Sequence, residues 1–146
     1  MKTRNILIFL LGFLGLGAVG GGGVLIYSPS GELMGMPLTI IQSSPFSSFL
    51  IPGFILFVVL GILPLILIYA LIKKPKWRFA EFFNFFNDMH WAWSYTVYTG
   101  FALIIWIQTE MMYLKAVHWS HSLYMGIAIC ILFVAMLRQV RLNYKK

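Results

Sequence analysis

One short basic stretch, lying between two long apolar blocks, constrains the fold more than any other part of the chain. It reads Lys73-Lys74-Pro75-Lys76-Trp77-Arg78 and carries four positive charges in six residues. The proline prevents a helix from running through it. Because basic segments beside membrane spans stay in the cytoplasm, the stretch predicts that the apolar blocks on both sides enter a membrane from its cytoplasmic face.

The composition also indicates a membrane protein. Of the 146 residues, 60% are hydrophobic and only 10% are charged, and the mean hydropathy is +0.86. A soluble domain carries roughly a quarter charged residues, so this chain lacks the polar surface that would cover a water-soluble core. The length fits one domain. The single cysteine, Cys130, excludes an internal disulfide framework.

The formal net charge of +7 is compatible with a nucleic-acid partner, but the placement of the charges argues against one. The basic residues flank the apolar blocks on one side: Lys2 and Arg4, the run at 73–78, and Arg138, Arg141, Lys145 and Lys146. Lys115 falls on the other side. This asymmetry predicts that both termini are cytoplasmic. It also makes the lipid bilayer the expected partner, with the basic residues against anionic headgroups.

Four apolar segments are each long enough to cross the hydrocarbon core, which takes about 20 helical residues. They cover about 6–27, 49–72, 91–112 and 119–137 and predict an all-α fold with four transmembrane helices. An apolar outer loop, 28–48, and an inner segment, 73–90, connect them. The first segment also resembles a signal peptide cleaved after Ala18-Val19-Gly20. We favour an uncleaved span, because the apolar run continues to Tyr27.

One proline and one amphipathic segment modify this simple pattern. Pro64, inside the second span, removes a hydrogen bond and predicts a kink that frees the carbonyl of Leu60. In the inner segment, apolar and polar residues alternate with a helical period. Phe79, Phe82, Phe83, Phe86 and His90 share one face, and Glu81, Asn84, Asn87 and Asp88 share the other. This pattern predicts an amphipathic helix that lies flat on the inner leaflet.

The first span is rich in glycine. Gly15-Leu16-Gly17-Ala18-Val19-Gly20 matches the G-x-G-x-x-G pattern of dinucleotide-binding turns, but the βαβ unit and the acidic residue that this fingerprint requires are missing from the sequence. Gly17 and Gly21 satisfy G-x-x-x-G, which allows two helices to approach closely in lipid. Two interpretations stay open: packing within the protein's own helical bundle, or an interface between subunits.

The third span is the most polar of the four. Tyr95 and Thr99 lie in its inner part, and Gln108 and Glu110 in its outer part. These four residues are candidates for a polar path or a ligand site. A carboxylate costs less near the headgroups than at the middle of the bilayer, so Glu110 either rests at the outer interface or pairs inside the bundle with Gln108, Lys115 or a histidine.

A metal site is a further alternative at the outer face. His118 and His121 are three residues apart, and together with Glu110 they offer two imidazoles and one carboxylate. Interfacial histidines more often hydrogen-bond headgroups, so we expect no metal and no other cofactor. His90 lies at the opposite end of the spans, which argues against bis-histidine haem. The sequence contains no nucleophile with its base and no close pair of carboxylates, so no catalytic residue is predicted.

Several short motifs resemble those of a family of small bacterial membrane proteins with four spans, to which no activity is assigned. They are Ser28-Pro29-Ser30-Gly31, Gly35-Met36-Pro37-Leu38, Ser44-Pro45-Phe46, Phe49-Leu50-Ile51-Pro52-Gly53 and the stretch from Trp106 to Glu110. The resemblance covers most of the chain. It implies a bacterial cytoplasmic membrane and a four-helix architecture, and it supplies no site residues.

Three functions are compatible with these observations. The first, which we favour, is a non-enzymatic membrane protein that acts through helix packing with itself or with a larger complex. The second is a small oligomeric transporter or channel with a polar path along the third span. The third is a metal-dependent or lipid-modifying enzyme that uses the polar residues at the outer face.

Overall fold

The chain is all-helical in the ranges that the structure, a computed structural model, describes: residues 2–32, 45, 47–114 and 119–146. Seven α-helices follow one another there, and a π-helical turn, Val58–Ile62, joins the second to the third without a break. The helices are α1 (Lys2–Tyr27), α2 (Leu50–Phe57), α3 (Leu63–Lys73), α4 (Arg78–Phe82), α5 (Trp91–Leu114), α6 (Trp119–Met136) and α7 (Arg138–Tyr144).

Three of the helical stretches are long and apolar enough to cross a membrane: Thr3–Tyr27, Leu50–Lys73 and Trp119–Met136. The 24-residue α5 is also long enough, but its polar residues lower its hydropathy and it is not one of the three. Many of the apolar side chains on the three stretches are exposed. Phe9 on α1 is 70% exposed and Phe133 on α6 is 66% exposed. Rings exposed in this way along a whole helix suit contact with lipid.

Each long helix packs along two others. α1 lies against the continuous α2–α3 stretch and against α6, while α5 lies against α6 and α3. The buried side chains between them are mainly leucines, with Leu7, Leu11 and Leu14 of α1 at most 1% exposed. They recur every three or four residues, which is the spacing of one helix face.

The irregularity predicted at Pro64 takes the form of the π-helical turn. Pro64 has no N–H to donate to the carbonyl of Leu60. The π-helical turn Val58–Ile62 ends two residues before this proline. Within it the amide of Leu63 reaches the carbonyl of Val58, five residues earlier. The wider turn keeps the stretch from Leu50 to Lys73 continuous.

The closest backbone approach between helices occurs where α1 meets α2 and the π-helical turn, at glycines on both sides. A Cβ at Gly22 would lie 2.7 Å from the carbonyl oxygen of Gly53 and 2.7 Å from the amide nitrogen of Phe57. A Cβ at Gly61 would lie 3.0 Å from the amide nitrogen of Val19. Backbone atoms cannot move aside as a side chain can, so this contact requires glycine.

The basic segments gather at one end of the molecule. Thr3 Oγ1 donates to Gln139 Oε1 at 2.7 Å, which places the N-terminus beside α7. Lys74 Nζ donates to the carbonyl of Asn143 at 2.7 Å, which places the run at 73–78 there too. Residues 33–44 and 46, between α1 and α2, lie outside the described residues.

The amphipathic inner helix is shorter than the sequence predicts. Helix α4 ends at Phe82, and the chain continues to His90 in turns. The cause is Asn84, which is 5% exposed. Its Nδ2 donates to the carbonyl of Met89 at 2.8 Å, and its Oδ1 accepts from the amide of Phe86 at 3.1 Å and from Ser94 Oγ. Asparagine that bonds nearby backbone in this way competes with helix formation.

Candidate functional site

The candidate site is built around a close contact between a carboxylate at the end of α5 and an imidazole at the start of α6. Glu110 Oε2 lies 3.2 Å from His121 Nε2. The imidazole is buried at 7% side-chain exposure, whereas the carboxylate side chain keeps 32%. A histidine was among the three partners proposed for Glu110, and His121 is the one in contact. Lys115 and His118 lie outside the described residues.

A cavity of about 270 Å³ opens beside this pair. Four helical elements contribute to its wall, and the side chains are mostly apolar. The lining comprises Leu14, Gly17, Ala18, Gly21, Leu56, Leu103, Trp106, Ile107, Glu110, Ser120, His121 and Tyr124. A polar pair in a predominantly apolar concavity is the usual composition of a small-molecule site.

Helical spacing explains which side chains surround Glu110 and His121. Trp106 lies four residues before Glu110 on α5, and Tyr124 lies three residues after His121 on α6, so each shares a helix face with its neighbour. Trp106 lines the same cavity as Glu110. Neither Trp106 nor Tyr124 was predicted as a site residue. Their spacing from the titratable pair is the signal that would have found them.

The glycines of α1 leave room for the cavity. Gly17 and Gly21 both line it, and the Tyr124 hydroxyl occupies the space beside Gly17, 2.5 Å from where a Cβ would lie. At Gly21, a Cβ would meet only Leu56 Cδ2, at an ordinary 3.7 Å. These two glycines therefore adjoin the cavity, while Gly22, Gly53 and Gly61 supply the tightest helix contacts.

The structure does not bring the four polar-path candidates together. Tyr95 donates its hydroxyl to the carbonyl of Ala80 at 2.9 Å, and Thr99 donates to the carbonyl of Tyr95 at 2.8 Å. Gln108 is exposed. Of the four, Glu110 alone is among the residues that line the cavity.

A metal site would need a third ligand beside Glu110 and His121. Among the described residues, no three of His, Cys, Asp and Glu stand close enough to hold a metal ion. His118, the remaining candidate, lies outside those residues. His90 is at the other end, where its Nε2 lies 3.1 Å from the carbonyl oxygen of Pro75.

Comparison with protein-family models, with curated proteins and with solved structures finds no match to this chain. The function is therefore inferred from the chemistry of the cavity and from the distribution of charge and apolar surface. The cavity lies among helices α1, α2, α5 and α6, and Glu110 and His121 are the acidic and basic side chains that line it.

Proposed function

We propose that this chain is an integral membrane protein whose four spans form a helical bundle with both termini in the cytoplasm. The three apolar stretches support this proposal, and so does the packing of α5 between two of them. At about 1.5 Å per residue, the 24 residues of α5 give about 36 Å, more than the ~30 Å hydrocarbon core. The basic end would face the cytoplasm by the positive-inside rule.

The same proposal places the inner segment at the membrane surface. Helix α4 and the turns after it expose several rings, with Phe82 at 79% and Phe85 at 77%, beside the basic run at 73–78. Aromatic and basic side chains side by side are typical of the inner headgroup region. The resemblance to small bacterial four-span proteins makes the bacterial cytoplasmic membrane the proposed location.

Labelling from outside intact cells tests this topology. In a Cys130→Ser background, single cysteines replace the exposed residues Ser30 and Lys76, and a third follows Lys146. A membrane-impermeant maleimide should label position 30 in intact cells, and the other two only after lysis. Labelling of position 76 or of the C-terminus in intact cells would contradict the topology.

We further propose that the protein is a non-enzymatic binding protein with a small-ligand site in the cavity beside Glu110 and His121. The observation that carries this proposal is the titratable pair itself, held 3.2 Å apart at an otherwise apolar cavity. Ionisable side chains are costly within membrane spans, and they usually mark a functional site.

The cavity's chemistry favours a small organic cation. The Glu110 carboxylate can accept about four hydrogen bonds, and it keeps a third of its side-chain surface exposed. Trp106 and Tyr124 line the same space, and aromatic faces attract an ammonium group. The apolar remainder suits a short alkyl chain. A primary alkylamine combines these features.

Thermal unfolding in detergent with short primary alkylamines, and with alcohols of the same chain length, tests the binding proposal. Amines should raise the melting temperature in a saturable way, and alcohols should not. Glu110→Gln should abolish the shift, and so should Gly21→Leu, which fills the cavity. Gly20→Leu is the matched control, since that position does not line it. If amines and alcohols act alike, or if Glu110→Gln responds as the wild type does, the ligand class is wrong.

Helix packing with a partner is the second candidate function, and it rests on a different observation. Among the described residues, no atom lies within 4 Å of the position that a Cβ would take at Gly20 or at Gly126. Such open glycines allow the backbone of a second helix to approach closely in lipid. Crosslinking in native membranes through cysteines at these two positions should yield dimers. Monomers alone would count against this function.

A transporter and an enzyme receive less support. The hydroxyls of Tyr95 and Thr99 are bonded to backbone carbonyls, and neither residue is among those that line the cavity. An acid–base reaction at Glu110 and His121 is chemically possible, but none of the described residues supplies a paired nucleophile.

A further inference from the structure

A second concavity, of about 290 Å³, lies at the basic end of the molecule. Its lining comprises Asp88, Met89, Arg138, Arg141, Leu142 and Lys145, and we call it the basic notch. It shares no residue with the cavity at Glu110. Three of the six lining residues are cations, and one is a carboxylate.

The backbone of α7 and of the residue after it explains why the three cations share the notch. Helix α6 ends at Met136, and Leu137 adopts an extended conformation (φ −61°, ψ 140°) before α7 begins at Arg138. Arg141 follows three residues later on the same helix face, and Lys145 follows the end of α7 in an extended conformation (φ −69°, ψ 135°). The extended Leu137 turns this face away from the axis of α6 and towards the inner segment.

Backbone hydrogen bonds hold the two segments of the notch together. The amide of His90 donates to the carbonyl of Tyr144 at 2.7 Å, and the amide of Lys146 donates to the carbonyl of Asp88 at 2.8 Å. Met89 and Lys145 form a β-bridge between these two bonds. The backbone on both sides of Lys145 is therefore fixed against the inner segment, beside Asp88 and Met89.

The notch carries unneutralised positive charge. In the part of the chain that the structure describes, neither Arg138, Arg141 nor Lys145 makes an ion pair, whereas neighbouring Lys146 bonds Glu81 at 2.8 Å. All three side chains are exposed. Asp88 is the one carboxylate in the lining. Guanidinium groups and an ammonium arranged around one hollow suit the oxygens of a phosphate.

We propose that the basic notch binds the phosphodiester headgroup of an anionic glycerophospholipid in the inner leaflet. Arg138 stands two residues beyond the last residue of the membrane-length α6, which is headgroup depth if that helix spans the bilayer. Leu142, 58% exposed at the edge of the notch, offers apolar contact to an acyl chain. Basic pockets beside membrane helices on the cytoplasmic side bind such headgroups. The proposal is independent of any ligand at Glu110.

Lipid retention on the purified full chain tests the proposal. The protein is reconstituted in bilayers of equal parts phosphatidylglycerol and phosphatidylcholine with the same acyl chains, released in mild detergent and weighed intact by native mass spectrometry. The wild type should retain phosphatidylglycerol preferentially. The triple variant Arg138→Gln, Arg141→Gln, Lys145→Gln should lose this retention by roughly tenfold or more, because clustered basic residues act together at an anionic surface.

A second triple variant separates the notch from general electrostatic attraction. Lys73→Gln, Lys76→Gln and Arg78→Gln remove the same charge at the same end but outside the notch, and they should leave retention within about twofold of the wild type. Three results would overturn the proposal: equal losses in the two triple variants, no preference between the two lipids, or displacement of the lipid by soluble glycerol 3-phosphate. The last result would make a soluble phosphate the ligand.

Discussion

The Tyr144 hydroxyl donates a 2.6 Å hydrogen bond to the backbone carbonyl of Leu71, near the end of α3. In a regular helix that carbonyl would accept from the amide four residues later. Residue 75 is a proline and has no N–H. Because Tyr144 is 1% exposed, water cannot easily take its place. The C-terminal segment thus supplies the donor that Pro75 lacks.

Removing that hydroxyl should destabilise the fold. We expect Tyr144→Phe to lower the free energy of unfolding by about 1–3 kcal/mol, because it leaves a buried carbonyl without a donor. Thermal unfolding in detergent measures the change. Tyr69→Phe is the matched control, since Tyr69 is 59% exposed and should change stability by less than about 0.5 kcal/mol. Equal effects of the two substitutions would contradict this role.

Glu110 and His121 should be energetically coupled. We expect Glu110→Ala and His121→Ala each to destabilise the protein, and the double variant to cost less than the sum by about 1 kcal/mol, since side chains in direct contact do not act independently. Unfolding of the four proteins in detergent completes the cycle. Gln108→Ala with His121→Ala is the control cycle, because Gln108 is exposed, and it should be additive. Additivity in both cycles would show that the contact contributes nothing.

The extent of the helices follows from composition, whereas their contacts do not. The four long helices begin and end within a few residues of the apolar segments, because a run of about 20 apolar residues is itself the signal. The period of a sequence says which residues share a face, but not which helix meets that face. G-x-x-x-G therefore drew attention to Gly17 and Gly21, while the closest backbone approach is at Gly22 and Gly53.

Contacts made by individual side chains explain the other differences between prediction and structure. The periodic phenylalanines predict a helix through residue 90, but the amide of Asn84 bonds Met89 and ends it. The sequence offers a weak signal for this, since asparagine also occurs on polar helix faces. Likewise, Glu110 had three candidate partners in the sequence. Only the antiparallel packing of α5 and α6 brings His121 to it.

The contact between α1 and α2 should be intolerant of a single added methyl group. At Gly22 that group would lie 2.7 Å from two backbone atoms. We therefore expect Gly22→Ala to destabilise by about 1–3 kcal/mol through overpacking, despite the better helix propensity of alanine. Gly20→Ala, on the open side of the same helix, should be neutral or stabilising. Unfolding in detergent checks both, and a neutral Gly22→Ala would mean that the helices can separate at little cost.

His90 joins α5 to the inner loop in its neutral form. Its Nδ1 accepts from the amide of Ala92 at 3.1 Å, so Nε2 carries the proton that faces the carbonyl of Pro75. Protonation of Nδ1 would break the first bond. Burial lowers the pKa of His90 below its ordinary value of 6.5, and the bond to the Pro75 carbonyl opposes this only in part.

Glu81 responds to pH at the same end of the molecule. Burial alone would raise its pKa, but hydrogen bonds from Lys146 and Asn84 outweigh burial and hold the pKa of Glu81 below its ordinary value of 4.5. The charged carboxylate therefore ties the C-terminal residue to the inner segment, through the 2.8 Å contact with Lys146.

Both groups predict a loss of stability on acidification. A group whose pKa is lower in the folded state binds more protons when unfolded, so its contribution is complete above the unfolded pKa and is lost as the pH falls through the folded value. For His90 the loss begins near pH 6.5, and for Glu81 near pH 4.5. We expect melting temperatures measured from about pH 8 to about pH 3 to fall in these two windows. His90→Gln, whose amide can still donate to Pro75, should flatten the upper window alone, and Glu81→Gln the lower one. An upper window that survives in His90→Gln would assign it to another histidine.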